Sequence, residues 1–526
     1  MTEDERPVRP DPAQAQGVLA EVWRDVLGVP ALGLDDDFFA MGGNSMLAVR
    51  AIVGAEERGV VTTLVDMLAG PTIREISERV SGGSGAEPPV SPSPVAEDRR
   101  TSTDVAPAAL LQQGLIFESQ SHDDAVYLDV VSHTINLRFD EAVLRSALDL
   151  MTERHETLRT SFNLTQYDEI MRQRAAGAVI PLEVTDGGGT GGLPPVEADV
   201  AQVSRPFDVA RSPLMRARVS IVDDDTFRLT YGLHHAIMDG WSETVFADEL
   251  ISTYTARLHG REPDLPASVE GMDEFVRLER AALESAEARA FWSARITDLP
   301  RARSMARLST KRRLDLRVEP ALASELYHVA VQHRLPVKSV LLAAHLAAWG
   351  GYHGGHAPVT GLVVNGRPEV SGADRMTGLF LNVLPLQVGL SGSARDLVQD
   401  VFDAERDLLP YRRFPYAELV TMAGHPLFET TFNYVHFDRS AGRELLDDVV
   451  GETRIFDSTS LPLLVDAVRE GAGDDLRFEL SADAEVWGEA ELAELADREL
   501  SSLRALASGL ELELGPQTRE DKRYEE

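Results

Sequence analysis

Two short stretches of the sequence carry side chains whose types and spacing suit covalent attachment and proton transfer. Ser45 follows Gly42, Gly43 and Asn44, behind the acidic run Asp35, Asp36, Asp37 and the pair Phe38-Phe39. A serine after two glycines, where a helical pattern begins, presents a hydroxyl at a helix N-terminus. Farther along, His234-His235-Ala236-Ile237-Met238-Asp239-Gly240 sets two imidazoles close to a carboxylate and a glycine. A neutral imidazole, titrating near pH 6.5 when unperturbed, can take a proton from an attacking amine; it can equally do no more than position that amine. Adjacent histidines on an extended segment point to opposite faces, so the two need not share a task. Asp239 and Gly240 suggest a turn folding back toward the second histidine, with Gly240 permitting the conformation. A buried Asp239 requires a partner, because an unpaired buried carboxylate is costly.

Both stretches sit at the ends of recognisable elements. Residues 13 to 29 form an amphipathic helical pattern, with Val18, Leu19, Val22, Trp23, Val26 and Leu27 at helical spacing and Gly28 and Pro30 to end it. A second helix starts at about Ser45 and stops by Gly59, a third short element covers Leu64 to Leu68, and Pro71 opens a last helix, Thr72 to Val80. Four helices in so short a span make a small bundle. Residues 81–103 then turn to Gly, Ser and Pro, a linker that could reach about 60–70 Å when extended. Beyond it the pattern is mixed α and β. Strands are expected over Val131–Leu137 and Leu214–Val222, and another, through Phe227, Leu229, Tyr231 and Leu233, runs straight into His234 and His235. An amphipathic helix, Ser242 to Leu258, follows. A second mixed region from Gly271 holds helices at Ala321–His333 and Pro336–Tyr352, then strands at Val359–Asn365, Phe432–Phe437 and Leu476–Leu480. Gly187 to Gly192 reads as a loop and not a phosphate cradle, since no Lys-Ser/Thr follows.

Composition narrows the classes. A length of 526 residues suggests about three to four domain-sized units. The net charge of −35 argues against binding nucleic acid or anionic membrane. With no cysteine there is no disulfide, thiolate nucleophile or cysteine metal site, and no metal is expected. The N-terminus lacks the features of a signal peptide, and the most apolar helical stretch, Val340 to Trp349, is too short to span a bilayer. A soluble, cytoplasmic, monomeric protein is the expectation.

Ala13 to Val80 resembles a peptidyl carrier protein, through Trp23-Arg24-Asp25-Val26-Leu27-Gly28, Asp35 to Ser45, and Pro71-Thr72-Ile73. The His234–Gly240 stretch resembles the active-site motif of the condensation domains of non-ribosomal peptide synthetases. Four further stretches match in family order: Leu111 to Phe117, Arg154 to Phe162, Asn365-Gly366-Arg367-Pro368, and Gly378 to Leu386. The resemblance implies a multidomain chain. A small four-helix carrier bundle, 13–80, is followed by an α/β two-lobed condensation domain resembling a pair of chloramphenicol-acetyltransferase-like folds, with lobes at 104–270 and 271–512 and a charged tail at 513–526. It implies 4'-phosphopantetheine attached to Ser45, a catalytic His235 facing a tunnel between lobes, a structural His234, and an ion pair from Asp239 to Arg367, with Arg159 as second choice. The implied activity is amide formation, an acceptor amine attacking a carrier-bound acyl or peptidyl thioester. Implied partners are a phosphopantetheinyl transferase, an upstream adenylation domain or other loading enzyme, and a downstream acceptor carrier protein or soluble amine.

Relatives within the superfamily fit less well: epimerisation domains differ in the later motifs, cyclisation domains carry aspartates for histidines, and silent recruitment domains have damaged motifs. A non-catalytic carrier or docking module, and transfer to a soluble amine or alcohol, stand as alternatives. No adenylation or thioesterase domain fits within these residues.

Overall fold

In the carrier segment, apolar residues at helical spacing have to find one shared interior, and the elements they form are short. The structure, a computed structural model, describes residues 10–29, 31–38, 41, 45–63, 66–67, 70–82, 105–120, 126–186, 195–302, 311–355, 357–437, 449–456, 459–470 and 475–510. Helix α1 is Pro12–Leu27, α2 is Ser45–Glu56 and α3 is Ile73–Gly82. Asp11 caps α1 by accepting the Gln14 N–H at 2.9 Å, and Gly28 ends it in the left-handed conformation. Leu19, Val22 and Trp23 of α1 pack on Leu47, Ala48, Ala51 and Ile52 of α2 and on Ile73 and Ile76 of α3. Phe38 completes this core, its ring edge-on to Trp23 at 4.8 Å. The acidic loop ahead of α2 is tied to α3: the Phe38 N–H donates to Pro71 O at 2.8 Å, and Arg74 grips Asp35 through two bonds of 2.6 and 3.0 Å. That salt bridge holds the Asp35 carboxyl below its usual range. Of the third expected element only Asp66 and Met67 are described, both helical. The linker from residue 83, the glycine loop at 187–192 and the tail lie outside the described residues.

The first lobe is built around a five-stranded sheet in the order β12-β2-β7-β6-β5. Its strands are β2 (Leu128–Ile135), β5 (Leu182–Asp186), β6 (Met215–Ile221), β7 (Phe227–His234) and β12 (Val450–Phe456). A small antiparallel sheet joins β1 (Val105–Pro107), β4 (Met171–Arg174) and β3 (Thr160–Asn163). The lobe's helices are α4 (Leu110–Gln120), α5 (Glu141–Arg154), α6 (Val196–Val203) and α7 (Gly240–Leu258). Every residue of β7 is buried. One face carries Phe227, Leu229, Tyr231 and Leu233 into a core with Leu148 and Met151 of α5 and Phe246 and Leu250 of α7. The other face is pressed against α6, where a Cβ at Gly232 would meet Val203 O at 2.6 Å, so only glycine fits. β12 comes from far along the chain and pairs antiparallel with β2, which ties the second half of the sequence into the first lobe's sheet. No local pattern announced it.

The second lobe has a six-stranded sheet in the order β10-β9-β11-β13-β14-β8. These strands are β8 (Lys311–Arg317), β9 (Val359–Asn365), β10 (Leu381–Gln387), β11 (Thr431–Phe437), β13 (Leu463–Glu470) and β14 (Asp475–Asp483). Around it stand α8 (Met272–Glu284), α9 (Ala286–Ile296), α10 (Pro320–His333), α11 (Val337–His353), α12 (Ala394–Leu408), α13 (Tyr416–Ala423) and α14 (Glu489–Ala507). α11 is buried from Ser339 to Tyr352, which is why its sequence is apolar on all sides. Among the described residues no helix is long and apolar enough to cross a membrane.

Candidate active site between the lobes

β7 delivers the two histidines to the rim of the first sheet in different settings. The His234 N–H donates to Leu214 O at 2.9 Å and the His235 N–H to Tyr127 O at 2.7 Å, so one bonds toward each neighbouring segment. His234 is buried; its Nδ1 accepts the Ala236 N–H at 3.1 Å and its Nε2 stands 3.1 Å from Ser119 Oγ. Burial, with His235 alongside, pushes its pKa down to about 4, so the ring is neutral at physiological pH. The His235 side chain keeps 27% of its surface open, and its Nδ1 lies 2.5 Å from Oδ2 of Asp129.

Asp239 is the N-cap of α7 and the hub of a bridge between lobes. Its Oδ1 accepts from the Ser242 N–H at 2.8 Å and from Arg367 at 2.8 Å, while Oδ2 accepts the Phe380 N–H at 3.1 Å. Arg367 comes from the second lobe, just past β9, and its guanidinium also reaches Ser242 Oγ at 2.6 Å and lies over the Phe380 ring at 4.5 Å. Arg159 is not among these partners. Burial opposes the charge on Asp239, but Arg367 and the Ser242 donors outweigh it and hold the carboxyl below its usual range. A Cβ at Gly378 would meet the Met272 sulfur at 2.5 Å, so a larger residue at this crossing would make the Met272 side chain shift. Where the sequence suggested a turn at Asp239 and Gly240, Gly240 is the first residue of α7, because Asp239 caps that helix.

The other stretches singled out from sequence brace this loop, the helix after it, or the second lobe. Gln112 on α4 donates to Ala236 O at 2.8 Å, and the Thr157 hydroxyl donates to Ile237 O. Arg154 and His155 both bind Glu249 of α7, at 2.6 and 2.8 Å. Asn382 donates to Arg412 O and Phe414 O within the second lobe. Asp129 is the residue the sequence reading missed. Its only signal is positional: it lies opposite Leu233 in the β2–β7 register, two residues diagonal to His235, and that register is invisible until the strands are paired.

Ser45 is the first residue of α2, two residues before the buried Leu47. A phosphodiester on that residue would sit at a helix N-terminus, where partial positive charge favours it, so the position suits phosphopantetheine. α2 also rests on the second lobe. Arg50 lies 3.5 Å from Asp374, Glu57 accepts from Ser371 at 2.9 Å, and Val53 packs on the cluster holding Ala373 and Met376. Asp374 O in turn accepts the Trp241 indole N–H at 2.8 Å, two residues from Asp239.

Fold and site define a two-lobed α/β protein with a partly open imidazole near the ion pair that links the lobes, preceded by a helical carrier bundle. Residues 102–520 match the Condensation domain family and residues 17–80 the Phosphopantetheine attachment site family. The chain belongs to the condensation-domain family of non-ribosomal peptide synthesis, as a carrier–condensation didomain. It is 33% identical over 510 residues to the AMB antimetabolite synthetase AmbE of Pseudomonas aeruginosa, covering 90% of this chain and 24% of that one. It is 26% identical over 529 residues to the phosphinothricin tripeptide synthetase PhsB of Streptomyces viridochromogenes, covering 93% of this chain and 43% of that one. The chain therefore spans less than half of either relative. Among solved structures, the first condensation domain of the calcium-dependent antibiotic synthetase aligns with a TM-score of 0.67 at 24% identity, over 78% of this chain and 98% of that one. The condensation domain of the Monacolin K polyketide synthase MokA gives 0.66 at 18%, over 78% and 99%. These likenesses carry the fold. A carrier domain of this family is loaded by a phosphopantetheinyl transferase and works with partner domains of a synthetase.

Proposed function

We propose that the chain forms an amide between an acyl or peptidyl group held on its own carrier and an amine brought by a second carrier or free in solution. Residues 13–80 serve as the carrier, 81–103 as the linker, and 104–270 and 271–512 as the two lobes. Phosphopantetheine on Ser45 would supply a thiol that holds the acyl group as a thioester. His235 meets the attacking amine, His234 stays neutral and packs the loop, and the Asp239–Arg367 pair with Gly240 keeps that loop in place. The observation carrying this reading is the contrast within the histidine pair: His234 is buried with both ring nitrogens engaged, whereas the His235 side chain is 27% open, four residues ahead of the Asp239 that pairs with Arg367 across the lobes. Association of α2 with the second lobe supports a donor delivered in cis. The cytoplasm, where coenzyme A and the transferase meet the carrier, is its place of work.

The test is a single turnover. The protein is loaded at Ser45 from an acyl-coenzyme A by a transferase, then offered a panel of soluble and carrier-bound amines. Intact-mass analysis should show the acyl group leaving Ser45 and an amide appearing; a Ser45→Ala chain should take no load. Loading without amide from any acceptor would make the chain a carrier and docking module.

A further inference from the structure

We propose that Asp129 is a positioning residue for His235: its carboxylate holds the Nδ1 proton, which leaves Nε2 as the proton acceptor and makes the imidazole a base. This rests on the reading of His235 as the residue that meets the amine, and adds to it a carboxylate that sets which ring nitrogen faces that amine.

The geometry follows from strand pairing. β2 and β7 are antiparallel, with Leu128 opposite His234 and Asp129 opposite Leu233. The His235 N–H continues the ladder one step past β7 by donating to Tyr127 O at 2.7 Å. Residues directly opposite share a face, so Asp129, Leu233 and His235 lie on one side, with Asp129 the diagonal neighbour of His235. Side chains in this relation are within reach, and the Nδ1–Oδ2 distance is 2.5 Å. A carboxylate accepts and does not donate, so Nδ1 must carry the hydrogen. The two ring nitrogens point in different directions, so Nε2 is the one turned from Asp129. Tyr127, whose carbonyl fixes the His235 backbone, has φ of 53° and hydrogen-bonds through its hydroxyl to Glu118 and Ser460, which anchors this corner of the sheet. Among the described residues, the charged or titratable groups near the ring include Asp129 on β2, the neighbouring His234 and, through Tyr127, Glu118 on α4.

In the reaction, the amine nitrogen attacks the thioester carbonyl carbon and gives its proton to Nε2. The C–N bond forms, the C–S bond breaks, and the proton passes from Nε2 to the departing sulfur, which leaves as a thiol. Between those events the ring is an imidazolium, and the Asp129 carboxylate stabilises it.

Asp129→Asn tests this in the full-length, Ser45-loaded protein. An amide keeps the shape and can still accept at Nδ1 but carries no charge. Single-turnover amide formation should drop about 10–100-fold, the acid limb of the pH–rate profile should move to lower pH, and the acceptor's KM should hold. Asp129→Glu should recover part of the rate. Independently of turnover, nitrogen-resolved NMR of His235 should show the Nδ1–H tautomer in the parent, and the apparent pKa of His235 should be lower in Asp129→Asn. An unchanged pH profile and unchanged His235 resonances would overturn the proposal. A raised acceptor KM with rate and profile preserved would also overturn it, since Asp129 would then be contacting the amine. If the parent made no amide at all, the reading of function would fail while the NMR comparison still decided the pairing.

Discussion

Imidazole–carboxylate pairs of similar length occur on both lobes, and one from each bears comparison. His235 Nδ1 meets Asp129 at 2.5 Å; His345 Nδ1 meets Glu499 at 2.7 Å. In the second lobe both side chains have 0% exposure, where the first pair has 27% and 20%. His345 lies within α11, stacked on Phe432, with its Nε2 facing the hydroxyls of Thr360 and Thr430 at 3.3 and 3.4 Å. Both its nitrogens are engaged by protein, and nothing can approach. Proton-transfer chemistry needs an imidazole that a substrate can touch, so of these two pairs only the first has the exposure that its proposed role requires, and the second is a packing device. The distinction comes from where the ring sits: one at the end of a strand on the rim of the lobe junction, the other in the middle of a helix buried on all sides.

The largest test of this contrast is His235→Ala. Single-turnover amide formation should fall by about 10²–10⁴-fold with a nearly unchanged melt and normal Ser45 loading. Should His234→Ala abolish turnover in a folded protein while His235→Ala keeps it, the roles are reversed. Next, Arg367→Ala strips the buried Asp239 of its counter-ion and should cost about 3–5 kcal/mol in chemical denaturation; a loss near zero would mean the lobes do not depend on this pair. Glu499→Gln breaks the sealed pair and should cost about 1–3 kcal/mol while the rate per folded molecule stays the same. A rate change at constant stability would mean that the second lobe's histidine is not merely structural.

A smaller effect concerns pH. Because the His234 pKa is about 4 when folded against 6.5 when unperturbed, the unfolded chain binds the extra proton between those values. Its contribution to stability is therefore complete above about pH 6.5 and declines as the pH falls toward 4. His234→Gln should flatten that part of the stability–pH curve relative to the parent, read from melts at pH 7.5 and 5. Smallest is the carrier's seat. Arg50 and Asp374 are partly exposed, and such pairs contribute about 0–1 kcal/mol and weaken with salt. Arg50→Glu should slow cis delivery a few-fold at low ionic strength and less at high, in the single-turnover assay. Equal slowing at both would point to Val53 and the apolar contact instead.

Much of this was legible beforehand because it was local. The helix carrying Trp23, the start of α2 at Ser45, the alternation of Phe227 to Leu233 and the apolar α11 are periodic patterns, and periodicity reports which face is buried. Arg367 stands beside Asp239, but it was named through family resemblance, since no spacing rule links residues so far apart. Asp239 and Gly240 read as a turn but open α7, because a turn and a helix start share the same residue preferences. Asp129, β12 and the Glu499 partner of His345 went unseen, each being a contact across distant segments.

By itself, then, the sequence determined which residues can react and which elements carry them: a serine opening a helix, two histidines ending a strand, a bundle, and a larger α/β region behind a linker. It also determined that the two histidines differ, because alternate side chains on a strand face opposite ways. Only the tertiary structure decided which imidazole stays open, that Asp129 would reach Nδ1, that Asp239 would be locked by an arginine of the other lobe, and that a strand from beyond residue 449 would complete the first sheet. Side-chain type and period are properties of neighbours in the chain. Register, burial and charge pairing are properties of neighbours in space, and they exist only once the two lobes have folded against each other.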